Sequence, residues 1–116
     1  MIYYKVVFKV HNKKIKSART CFNSLTYKVG EWTYPKIPNS KIFIFKDLND
    51  AKSFRILFEE IYECEALNPE EADYMAGYTD EIELFWKNKN KITYGHKPYK
   101  GTYFADAIKL IKEVEL

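Results

Sequence analysis

The chain has 116 residues, of which 47% are hydrophobic, 17% aromatic and 30% charged, and its formal net charge is +3. That length suits one domain, 1–116, and so much apolar material excludes global disorder. Apolar runs such as Val6-Val7-Phe8 and Ile42-Phe43-Ile44-Phe45 fall far short of the roughly 20 residues that a membrane-spanning helix needs. Met1 to Val6 lack the basic region, apolar stretch and cleavage site of an export signal, so a soluble cytoplasmic protein that does not engage a membrane is expected.

Ile2 to Val10 is dense in Val, Ile, Tyr and Phe and reads as a first, half-buried strand. Residues 11 to 23 lack a period and read as connection. Leu25 to Val29 alternates and stops at Gly30, a second strand, and Glu31 to Ser40 carries two prolines that mark a surface loop. Lys41 to Phe45 is strand-like, and Asp47 or Asn49 can cap the helix that follows. Leu48, Ala51, Phe54, Leu57 and Phe58 recur at helical spacing, which predicts one main helix over about 48–59.

Ile61 to Leu67 alternates strictly, with Ile61, Glu63, Glu65 and Leu67 on one face and Tyr62, Cys64 and Ala66 on the other. Pro69 to Ala76 opens with proline and acids and reads as a short helix closed by Gly77; residues 80–87 read as another. Lys87 to Lys91 is a polar turn, and Ile92 to Gly101 a loop punctuated by Tyr, Gly and Pro. Residues 104–114 fit either a helix or a strand, and local propensity favours helix. The expected fold class is α+β: a small, mainly antiparallel sheet with one main helix and one or two short helices packed on it.

Charge is uneven along the chain. Residues 1–46 carry a net +9, residues 47–86 a net −10 and residues 87–116 a net +4. Either these segments fold beside one another and compensate, or the basic parts share a face that steers an oppositely charged partner. Lys13, Lys14, Lys16, Arg19 and Lys36 near the aromatic pair Trp32 and Tyr34 form the candidate binding set, since cations track phosphates and exposed aromatics stack on bases. The same aromatics, with Trp86, Tyr94 and Tyr99, suit a protein interface.

Catalytic chemistry finds less footing. Glu63 and Glu65 share a face, where coupled carboxylates shift one another's pKa, but solvated edge acids are the plainer reading. His11 and His96 have no spaced nucleophile partner. Cys21 and Cys64 read as reduced thiols, and neither they nor the histidines show metal-ligand spacing. With four glycines and no phosphate-binding loop, neither metal nor cofactor is expected.

The string Tyr27-Lys28-Val29-Gly30-Glu31-Trp32 with Pro35, then Ile42 to Phe45, Ala51, Phe54 and Ile61 to Ala66, resembles uncharacterised small proteins of phage and giant-virus type. Gly101 to Asp106 with Ile108 and Lys109 is similar to their ending. The resemblance implies a final strand over 104–114, against local propensity. It also implies a non-enzymatic, stoichiometric binder acting through a charge-polarised surface, an anti-CRISPR-like inhibitor of a host defence system, with a host protein or ribonucleoprotein complex as partner. The alternatives are a nucleic-acid-binding module using the basic N-terminal half, and a nucleotide-handling enzyme. For the latter, Phe43 to Ala66 resembles the strand–helix–strand of ADP-ribosyltransferase-like folds, although no His or Arg, Ser, Glu triad stands at matching places.

Overall fold

The computed structural model describes residues 1–10, 14–17, 25–36, 40–72, 75–76, 95–96 and 100–115, with side chains for all but 17, 75–76 and 95–96. Within them the regular structure is mostly antiparallel sheet. The strands are β1 (Tyr3–Lys9), β2 (Ile15–Ser17), β3 (Thr26–Tyr27), β4 (Trp32–Thr33), β5 (Ile42–Phe45), β6 (Glu60–Leu67), β7 (Glu70–Glu71), β8 (Met75–Ala76), β9 (Gly95–His96), β10 (Thr102–Ala105) and β11 (Ala107–Glu113), with one helix, α1 (Leu48–Phe54).

The main sheet runs β4-β11-β6-β1-β5-β10-β7, and β2 adds to β1 and pairs with β3. The outer edge of β1 is thus shared: Tyr4 pairs with Phe45 of β5, while Val7 to Lys9 pair with β2. From β3 the chain turns at Gly30, whose φ is +85° and whose amide donates to the Leu110 carbonyl at 2.8 Å, and enters β4 beside β11. The path β1-β2-β3-β4-β11-β6 therefore returns on itself and wraps one core. Tyr3, Val7, Ile15, Tyr27, Ile44, Tyr62, Cys64, Ile108 and Leu110 fill it. A second, smaller core lies on the opposite face, where Ala51 of α1 packs with Val6, Phe45 and Ile61, flanked by Leu48 and Phe54.

These facts correct the α+β expectation. The main helix is seven residues long and ends at Phe54, because Arg55 is already extended (ψ 137°) and the Ile56 amide donates to the Glu59 carboxylate at 3.0 Å instead of continuing the helical ladder. Asp47 occupies the N-cap position but makes no side-chain capping hydrogen bond. The expected short helix over 69–76 is instead two strand segments: Glu70–Glu71 pairs with β10, and Met75–Ala76 with Gly95–His96. A two-residue acidic segment laid on a sheet edge gains ladder hydrogen bonds that a proline-led single turn of helix does not offer. The helix expected over 80–87 lies outside the described residues.

Two stretches read as connection hold strands, Ile15–Ser17 and Trp32–Thr33. The end of the chain is strand in two pieces broken at Asp106. A bulge at Ile111 then swings Lys112 outward to face Glu63; unbroken alternation would put it on the inner face with Ile108 and Leu110. None of the helices among the described residues is long and apolar enough to cross a membrane.

Candidate functional site

The aromatic candidates stand on the β4 edge. Trp32 pairs across the ladder with Lys109, whose ammonium lies 5.3 Å from the indole centroid and 3.0 Å from the Glu65 carboxylate on β6. Three strands therefore place indole, ammonium and carboxylate in one row on the outer face of the sheet. Trp32 remains 41% exposed and Tyr34 60%, and Lys36 follows them on the surface. Among the described residues β4 pairs with β11 alone.

The basic candidates are elsewhere. Lys14 and Lys16 belong to the β1–β2 hairpin, where the Val10 amide donates to the Lys14 carbonyl at 2.9 Å and Lys16 pairs with Phe8 and Thr26. Lys13 and Arg19 lie outside the described residues, as do His11, Trp86, Tyr94 and Tyr99. The structure thus joins Trp32 to a lysine from the far end of the chain, not to Lys14 or Lys16.

Glu63 and Glu65 do share a face, but β6 is a central strand, not an edge. Each acid meets a β11 lysine, Glu65 with Lys109 at 3.0 Å and Glu63 with Lys112 at 3.8 Å. The pairs form a ladder of opposite charges between β6 and β11. A second cluster sits at the other end of β6. There Lys9 contacts Glu60 at 3.1 Å and Glu113 at 2.7 Å and lies over the Tyr62 ring at 5.6 Å. The hydrogen bond between the two carboxyls, then burial, lifts Glu60 above its usual range, and the same bond with help from Lys9 holds Glu113 below its own. Lys9 itself is raised, chiefly by its hydrogen bond to Glu113.

The most unusual ionisable group is Lys5, 9% exposed, on the inner face between Tyr3 and Val7. Its ammonium donates to the Phe43 carbonyl at 2.7 Å. Burial lowers its pKa to about 8, with Cys64 and Glu59 partly opposing the shift. Cys64 is a free, buried thiol that burial pushes up to about 12. Among the described residues no group of His, Cys, Asp and Glu is arranged to hold a metal, and a shallow hollow is lined by Asp47, Leu48, Asn49, Asp50 and Lys100.

Sequence reasoning missed one surface. Leu57 and Phe58, assigned to the buried stripe of the helix, stand with Ile56 in solvent. A signal for this was present: three consecutive large apolar residues cannot all lie on one helix face. Compared with family models, curated proteins and solved structures, the chain matches none of them.

Proposed function

We propose that this protein is a non-enzymatic binding domain that engages a macromolecular partner through the β4 edge, in the manner of a stoichiometric phage-type antagonist of a host defence complex. The observation that carries the reading is the exposure of Trp32 (41%) and Tyr34 (60%) on and just beyond β4, with the Trp32 indole set against the Lys109 ammonium that Glu65 holds. Exposed aromatics of this kind, held rigidly, are what interface hot spots use. The ion-paired state of Glu63 and Glu65 supports binding over catalysis.

Recovery of partners from host lysate by the wild type and by Tyr34→Ala, each with and without nuclease, tests this reading. A protein partner retained after nuclease and lost with Tyr34→Ala supports it; identical recovery by both forms refutes it. Loss after nuclease alone would transfer the function to nucleic-acid binding by Lys14 and Lys16, with the steep salt dependence that phosphate contacts bring.

A further inference from the structure

Lys9 at the end of β1, Glu60 at the start of β6 and Glu113 at the end of β11 meet on one face of the sheet. The register requires it. Val7 stands opposite Glu60 and Tyr62 opposite Glu113, directly opposed residues share a face, and Lys9 lies two residues beyond Val7 on the same side. Two carboxylates therefore share one ammonium. Lys9 Nζ donates to Glu113 Oε1 at 2.7 Å. It also lies 3.1 Å from Glu60 Oε2, yet that oxygen accepts no hydrogen bond and is shielded from water. A shielded acceptor without a donor, set within hydrogen-bond reach of a second carboxylate, is relieved by a proton: the Glu60 hydroxyl donates to Glu113, and the excess negative charge disappears.

The other charged and titratable groups on the surrounding elements are engaged or turned away. On the same face Lys5 donates to the Phe43 carbonyl, and the Tyr62 ring lies beneath Lys9. Ahead of β6, the Glu59 carboxylate accepts the Ile56 amide and Arg55 Nε donates to the Glu59 carbonyl. On β11 the bulge sends Lys112 to Glu63. On β2 the partner of Lys9 is Ile15, with Tyr27 of β3 behind it, so Lys14 and Lys16 alternate to the opposite face. Lys52 belongs to α1, which packs on the other face of the sheet, and Lys28, Glu31 and Glu115 are exposed.

We propose that Lys9, Glu60 and Glu113 form an acid-tightened latch, in which a proton taken up by Glu60 joins its carboxyl to that of Glu113 and clamps the end of β11 onto β6 and β1. That end is lightly held. Beyond the bulge at Ile111 it keeps the ladder pairs Lys112–Glu63 and Glu113–Tyr62 and the bond from Val114 N–H to the Ile61 carbonyl at 2.8 Å, whereas β4 reaches only Ile108 and Lys109. Strand ends with few bonds open locally before the whole fold does. Glu60 holds its proton more firmly in the folded chain than in the unfolded one, so this end gains stability as pH falls from neutral towards the ordinary glutamate value of 4.5. Glu113 acts in the opposite sense, its folded carboxylate resisting protonation, so the gain is lost again below that value. The latch is tightest in mildly acid solution, and it does not depend on what the protein binds.

Hydrogen exchange of the Val114 amide, corrected for its intrinsic pH dependence, reads the latch. Between about pH 7 and about pH 5 its protection factor is expected to rise at least about threefold. The Gly30 amide, which bonds the Leu110 carbonyl from the β4 side, should change less. Glu60→Gln fixes the donating form, because its amide can donate to Glu113 at any pH. Val114 protection in that variant should be flat over the same range and, at neutral pH, no lower than in the wild type. Carbon-13 titration of the side-chain carboxyls needs no variant: the pair should take up its first proton above the ordinary glutamate value, mainly on Glu60. A first proton on Glu113 or at the ordinary value, an equal rise of Val114 protection in Glu60→Gln, or wild-type protection that stays flat or falls towards acid pH overturns the proposal.

Discussion

Replacing Lys5 by Met isolates the cost of a buried ammonium. The folded-state pKa of about 8 against an ordinary 10.5 means that folding opposes protonation, and the difference corresponds to roughly 3 kcal/mol at neutral pH. The sign follows from proton counts. Between pH 8 and 10.5 the unfolded chain holds a proton on Lys5 that the folded chain has released, so stability rises with pH across that window; below pH 8 both states are protonated and the cost is present in full. Raising the pH from about 7 to about 9.5 therefore returns about 2 kcal/mol to the wild type through Lys5 alone.

Cys64 acts in the opposite direction. Its folded pKa is raised from 9 to about 12, so above pH 9 the unfolded thiol ionises first and stability falls. Lys5 partly opposes that rise, so Lys5→Met lifts the thiol further; at about pH 9.5 the folded thiol is protonated in both proteins and its contribution cancels in the difference between them. Urea unfolding of both proteins at the two pH values gives the quantity needed. Lys5→Met is expected to be more stable than wild type at pH 7, even after losing the hydrogen bond to the Phe43 carbonyl, which is worth roughly 1–3 kcal/mol for a charged donor. The advantage should shrink by about 2 kcal/mol at pH 9.5. An advantage independent of pH would show that Lys5 is solvated in the folded protein and that the burial argument is wrong.

Gly101 has φ +79°, and a Cβ there would collide with the Asp50 side chain; Gly101→Ala is expected to lose about 1–3 kcal/mol in urea unfolding, most of it backbone strain because the Asp50 carboxylate can rotate away. Deleting Ile111 removes the bulge while leaving Lys112 opposite Glu63 and Glu113 opposite Tyr62. The deletion variant should fold cooperatively and lose less than about 2 kcal/mol, the contribution of a half-buried aliphatic side chain. A molten or unfolded deletion variant, judged by near-ultraviolet circular dichroism, would contradict the observed register.

The strands that carry a strong local pattern were legible. Tyr62 and Cys64 are buried on one face of β6 and Glu63 and Glu65 lie on the other, as alternation alone requires. The helix was overextended because its stripe was counted through Leu57 and Phe58, whereas the Glu59 carboxylate takes the Ile56 amide and the chain must reverse to bring Glu60 opposite Val7. That is a tertiary constraint, invisible to a period. The final strand looked helical for a related reason: the break at Asp106 and the bulge at Ile111 reset the alternation twice, so Ile108 and Leu110 face the inner core while Val114 packs under the helix. Short strands such as Trp32–Thr33 have too few residues to show a period and exist because β11 offers them a ladder. The pairing of Trp32 with Lys109 and Glu65 has no sequence signal, since the three residues come from distant parts of the chain.

The polarity along the sequence changes character once the chain is folded. Lys9 meets Glu60 and Glu113, Lys41 meets Asp106, Lys109 meets Glu65 and Lys112 meets Glu63; the pairs to Glu60, Glu63 and Glu65 join a basic segment to the acidic one, and the other two join the basic ends of the chain. Opposite charges drawn from the +9, −10 and +4 segments are thus set against one another within single rows of the sheet, where their fields largely cancel beyond a Debye length. Apolar contacts through Trp32 and Tyr34 then supply the affinity, and the partner complex should be nearly insensitive to salt. Between about 50 and about 500 mM sodium chloride its dissociation constant is expected to change less than about threefold. A decline of a hundredfold or more over that range would mean that lysines such as Lys14, Lys16 and Lys36 act together as a charged face, and binding would have to be reassigned to them.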